Sequence, residues 1–165
     1  DAPVRLTARK EWKVSRPFQA YLRRSTPPDA YDAYLEQRPG RIIDVDYTAE
    51  PLPDVPLDVT VPVVALIGPR TFSSAVTLTA TLRAYDLSVL VGRETGGRAN
   101  RFGEGYPFRL PNTGLRVMVS SASFVQASGD RQASGGVRPD LPVASPLGVD
   151  SDLAMGVALG LLRRR

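Results

Sequence analysis

The sequence predicts an α/β protein. Two short β-branched runs, Val61 to Gly68 and Leu87 to Gly92, bracket a stretch of helical character over 73–85. Strand–helix–strand order makes the two runs neighbouring core strands with the helix packed on them. Farther along, Tyr106 to Leu110 and Leu115 to Val125 flank Pro111-Asn112-Thr113-Gly114. Asn and Gly supply the turn of a hairpin there.

The elements follow in chain order. Residues 1–60 are punctuated by prolines, among them Pro17, Pro27, Pro28, Pro39, Pro51, Pro53 and Pro56. Short helices fit 17–24 and 29–37, and Arg41 to Tyr47 fits a strand. Tyr31 and Tyr34 lie three apart on a helix, a spacing that serves packing more often than an aromatic ligand surface. Residues 51–60 read as an extended linker. We therefore divide the chain into an N-terminal segment, 1–60, and an α/β core, 61–165. Within the core, 126–136 is a polar loop and 150–163 a closing helix. Asp150 and Asp152 favour that helix's N-terminus, and Arg163, Arg164 and Arg165 its C-terminus.

Composition narrows the class. A chain of 165 residues with 42% hydrophobic residues is one domain long and buries a real core. The net charge of +4 invites a nucleic-acid reading. Of the 21 basic residues only Lys10 and Lys13 are lysines, the arginines are spread along the chain, and no aromatic–basic platform occurs. No nucleic-acid partner is expected. With no cysteine and no histidine, disulfides, Cys-based zinc sites and a Ser-His-Asp triad are all excluded. No metal or cofactor is expected. The apolar run Leu153 to Leu162 is about half the length a bilayer needs, so no transmembrane span is expected.

Ser73 is the residue with most to say. It stands where a strand turns into a helix through Gly68-Pro69, and helix N–H groups point outward at such a turn. That position suits a nucleophile whose attack builds an oxyanion. The plain alternative is an N-cap serine. Gly96-Gly97 beside Arg98 and Asn100 lacks the spacing of a phosphate-cradling loop and reads as a glycine turn.

Three motifs then occur in a fixed order. They are Thr71-Phe72-Ser73, Val91-Gly92-Arg93-Glu94-Thr95-Gly96-Gly97 and Gly136-Val137-Arg138-Pro139-Asp140. Together they resemble the protease core of the carboxyl-terminal processing, or tail-specific, serine proteases, over about 61–145. The resemblance implies a crotonase-like β-β-α spiral core. It implies hydrolysis of polypeptides through an acyl-enzyme, with Ser73 as nucleophile and the Ser74 backbone N–H as an oxyanion donor. It also implies a periplasmic or secreted bacterial protein.

The chain departs from that family's pattern. Counted from Ser73, the family's lysine base falls at Arg98 and its helper glutamine at Phe102. Arginine stays protonated and takes no proton from serine. The resemblance then makes Arg98, Asn100 and Glu104 candidate polar groups near Ser73, with Glu104 the nearby carboxylate that would orient or replace a base. The family's glycine-rich strand end, which completes the oxyanion hole, has no match. The expectation is a partial chain, inactive by itself, whose base lies on an upstream segment. Two rival readings remain. One is a non-catalytic module of the same fold that binds a peptide or apolar ligand, as the retinoid-binding proteins of the photoreceptor matrix do. The other is a structural or assembly domain. Oligomeric state is not read from the sequence.

Overall fold

The structure is a computed structural model that describes residues 6–25, 29–45, 61–144 and 152–163. The architecture is mixed α/β. In chain order its elements are β1 (Thr7–Lys13), α1 (Arg16–Ser25), a 3-10 turn (Asp29–Tyr31), α2 (Asp32–Leu35), β2 (Ile42–Val45), β3 (Val64–Ile67), α3 (Ser74–Ala84), β4 (Val89–Gly92), β5 (Arg101–Arg109), β6 (Arg116–Gln126), β7 (Leu141–Pro142) and α4 (Leu153–Leu162). The extended linker over 51–60 and Asp150 lie outside the described residues.

Packing divides the chain into two compact units. Described residues 6–8, 61–100, 126–144 and 152–163 form the first, and 9–25, 29–45 and 101–125 the second. The hairpin that the sequence placed with the α/β core thus pairs with the N-terminal strands. Hydrophobic periodicity finds a hairpin but not its sheet, because pairing partners are distant in sequence.

In the first unit, β3 and β4 pair in parallel, with Val64 opposite Val89 and Ile67 opposite Gly92. β4 also pairs in parallel with β7, which the sequence reading did not find because it is two residues long. Leu90 and Val91 are fully buried on β4. α3 turns Val76, Thr79 and Ala80 inward, the three- and four-residue spacing of one helix face. The buried hydroxyls of Thr79 and Thr81 donate to the carbonyls of Ala75 and Thr77, 2.7 and 2.9 Å away. They therefore enter the interior without an orphan donor.

The expectation that Val61 to Gly68 is a buried strand needs correction. β3 is an outer strand of its sheet, in the order β3-β4-β7. Val61, Val63 and Leu66 are exposed, and Ile67 is its one buried residue. β-branched composition reports the propensity to pair, not the number of neighbours. The closing helix also differs from expectation. Asp152 caps α4 by accepting the Met155 N–H at 3.1 Å. Yet Leu153, Met155, Val157, Leu159 and Leu162 remain exposed, and Ala158 is its buried residue. Among the described residues no helix is long and apolar enough to cross a membrane.

The second unit is a four-stranded sheet, β2-β1-β6-β5, with α1 and α2. Its core gathers Trp12, Phe18, Leu22, Tyr34, Tyr106 and Phe124. Ser15 starts α1, its hydroxyl accepting from the Phe18 N–H at 3.3 Å. Pro17 sits in the first turn, where no N–H is needed. Tyr34 is fully buried. Its hydroxyl donates to the Lys13 carbonyl at 3.0 Å and accepts the Ser15 N–H at 2.8 Å. Burial pushes its pKa above the usual tyrosine value. The Tyr31–Tyr34 spacing thus serves packing, with both rings against Trp12.

Candidate active site

The first unit assembles the three motifs around the end of β3. The chain leaves β3 at Gly68 and turns tightly. The Gly68 N–H donates to the Thr71 hydroxyl at 3.1 Å, and the Thr71 N–H donates to the Gly68 carbonyl at 2.8 Å. Threonine supplies the side-chain half of that clamp, which explains its place two residues before Ser73.

Ser73 has φ 54° and ψ −124°, a conformation that residues with a Cβ rarely adopt. It stands in the N-cap position of α3, yet its side chain makes no capping hydrogen bond. Its carbonyl instead accepts the Val76 and Thr77 N–H groups at 3.0 and 3.1 Å. The plain N-cap reading of Ser73 is thereby answered. The hydroxyl is exposed and not spent on the helix. Backbone strain of this kind costs about 1–3 kcal/mol and gathers at functional sites. A serine raised on a strained strand-to-helix turn is also the geometry of a nucleophile elbow. Next to it, the Ser74 N–H opens α3 and has no backbone acceptor among the described residues.

The Glu-Thr-Gly-Gly loop holds this turn from one side. The Gly97 N–H donates to the Thr71 carbonyl at 3.0 Å. A Cβ on Gly96 would stand 2.1 Å from the Pro69 carbonyl oxygen and 2.6 Å from the Phe72 ring. Glycine is required because the two backbones touch. Thr95 is buried and locks this loop to the third motif. Its hydroxyl accepts the Val137 N–H at 2.8 Å and donates to the Gly97 carbonyl at 2.8 Å. Glu94 accepts the Gly136 N–H at 2.9 Å.

Asp140 completes the frame. Its carboxylate accepts the Leu90 N–H at 2.7 Å and a 2.5 Å ion pair from Arg83 on α3. It ties the last turn of α3 to β4. Sequence reasoning matched Asp140 to a motif but gave it no task. The signal was Arg83, the one basic residue in the last turn of α3.

The other expected site residues fall as follows. Arg98 is exposed, and its backbone bridges to Gly136. Among the described residues its guanidinium forms no ion pair. Asn100 is spent on structure: its amide donates to the Asp130 and Ala133 carbonyls at 2.8 and 3.1 Å, and its oxygen accepts the Gln126 N–H at 3.0 Å. It folds the 126–136 loop. Glu104 belongs to the second unit, on β5, with φ 52°. Its carboxylate accepts from the Lys10 ammonium and from the Trp12 indole N–H. Lys10 is 5% exposed and lies 4.4 Å from the Trp12 ring centroid. Glu104, expected to orient or replace a base, is thus engaged by Lys10 and Trp12 in the second unit. Phe102 is exposed on β5. Among the described residues no cluster of acidic side chains could hold a metal ion.

No curated protein sequence matches the chain. The model of Peptidase family S41 matches residues 12–143, four-fifths of the sequence. That match begins far upstream of the 61–145 region on which the sequence motifs rest, so the last two residues of β1 and all of α1 and β2 fall within it. The chain belongs to Peptidase family S41.

Proposed function

We propose that this chain carries the nucleophile of a serine peptidase on a crotonase-like scaffold, with Ser73 forming an acyl-enzyme with polypeptide substrates. The observation that carries the reading is the strained, uncapped Ser73 at the β3–α3 turn. Its Oγ attacks the scissile carbonyl as a base takes its proton, and the oxyanion of the tetrahedral stage accepts the Ser74 N–H; the C–N bond breaks as the departing amine takes up that proton, and water then hydrolyses the acyl ester. An oxyanion donor of this sort contributes about 10²–10³ in rate.

The Ser73 proton needs an acceptor that Arg98 cannot be. We assign Arg98 an electrostatic role, holding negative charge near the cleft. Glu104 is not the acceptor in this reading, since Lys10 and Trp12 take up its carboxylate. The 165-residue chain alone is therefore expected to show peptidase turnover near background. The resemblance to the family supports a periplasmic or secreted location in a bacterium for this protein.

Incubation of the purified chain with unfolded casein tests this directly. Background turnover, unchanged by Ser73→Ala, is expected. Turnover abolished by Ser73→Ala would reveal a base within this chain and sink the claim of inactivity. Turnover that survives Ser73→Ala but not Ser74→Ala would move the nucleophile by one residue. A second reading, a binding module of the same fold, is favoured by the arginine at the lysine position.

A further inference from the structure

A cavity of about 520 Å³ opens at the carboxyl ends of β3 and β4. Ligands favour that end of parallel strands. Leu66, Val143 and Ala154 supply apolar lining, and Arg70 and Arg93 supply charge. Thr71 forms part of the wall. It lies two residues from Ser73, so their Cα atoms are within about 7 Å.

The two arginines are unspent. Both are exposed, and among the described residues neither forms an ion pair. The carboxylate in the lining, Asp152, is engaged as the cap of α4. Glu94, the residue after Arg93, is engaged by the Gly136 N–H and lies 3.7 Å from Arg138. The Arg93 N–H donates to the Ile67 carbonyl at 3.0 Å, which fixes where its side chain departs. Two arginines in the lining of a partly apolar cavity favour a planar anion, because each guanidinium presents paired donors.

We propose that this cavity is a subsite for an acidic side chain of the bound polypeptide, selected by Arg70 and Arg93. It rests on the reading of Ser73 as the attacking group, since that sets where the polypeptide lies. No bond is made or broken here; the subsite contributes binding and register.

Titration of the ¹⁵N-labelled chain with acetyl-Ala-Ala-Glu-Ala-Ala-amide and its Gln counterpart tests the proposal. The Glu peptide should shift the Gly68, Thr71 and Gly92 amides and the Arg70 and Arg93 Nε signals saturably. It should bind about five- to ten-fold tighter than the Gln peptide, the size of a charge-assisted contact reduced by solvent exposure. Arg70→Gln and Arg93→Gln should each shrink that ratio, and the double substitution should bring it to one. Acetylated pentaalanine with a free carboxyl end supplies the other source of a carboxylate. A preference for that peptide over the Glu amide would overturn the proposal, as would equal binding of Glu and Gln peptides, no shift at these signals, or a ratio that survives the double substitution. Fluorophosphonate labelling of Ser73, measured separately, keeps the two readings apart. Absent labelling with an intact Glu preference would sink the nucleophile and leave the subsite.

Discussion

The Ser73 backbone makes a stability prediction that separates strain from chemistry. Ser73→Ala and Ser73→Gly both remove the hydroxyl, which makes no capping bond. They differ in the Cβ. At φ 54° and ψ −124° alanine keeps the strain and glycine relieves it. Relief is worth about 1–3 kcal/mol. Glycine's freer unfolded chain takes back about 0.5–1 kcal/mol. At mid-range, about 2 less about 0.75 kcal/mol, the glycine variant should be more stable than the alanine variant by about 1 kcal/mol. At this chain length that is a difference of roughly 2–4 °C in Tm. Urea unfolding of both variants, with equal slopes, gives the difference directly. A glycine variant no more stable than the alanine variant would refute the claim that strain is stored at Ser73.

Further outcomes follow from the same contacts. Gly96→Ala should destabilise the first unit by about 1–3 kcal/mol, because the new methyl meets the Pro69 carbonyl and the Phe72 ring; unchanged thermal unfolding would contradict the close approach. Tyr34→Phe should cost about 1–3 kcal/mol at neutral pH, since the Ser15 N–H and Lys13 carbonyl lose their partner. Burial raises the Tyr34 pKa above 10.0. Its contribution is thus fully present below pH 10 and is lost as pH rises through the folded-state value. Alkaline titration of unfolding should show that loss in the parent and a shallower slope in Tyr34→Phe. Glu104→Ala should cost about 1–3 kcal/mol by removing the carboxylate to which Lys10 and Trp12 donate; a neutral result in urea unfolding would remove Glu104 from the second unit's core.

Local signals carried much of this molecule, and long-range ones did not. The helix over 73–85, the strand over 87–92 and the hairpin turn at 111–114 were legible because each rests on neighbouring residues. β1 was missed. Its sequence, TARKEWK, mixes charge with a buried lysine. Burial of Lys10 depends on Glu104, 94 positions away, and no local pattern reports such a partner. The motifs located Ser73, but its φ of 54° and the Gly68–Thr71 clamp and Gly96 approach beside it become visible only when the chain is folded. Glu104 was read as a site residue on proximity in sequence to Arg98. Asn100, two residues from Arg98, proved to be loop scaffolding for the same lack of long-range information.

At the centre stands the proposal that Ser73 is a nucleophile with no base beside it among the described residues. Without a base, hydroxide must take the proton, so labelling should rise about ten-fold per pH unit. The Ser74 N–H should favour Ser73 over ordinary exposed serines by about 10²–10³. The direct measurement is peptide mapping of the fluorophosphonate adduct between pH 7 and pH 9.5. The account predicts an adduct on Ser73 that is slow at pH 7, rises with pH, and exceeds that on the exposed loop serine Ser134 by about a hundred-fold or more. Adducts spread evenly over Ser73, Ser74 and Ser134, or none at Ser73 at any pH, would contradict it.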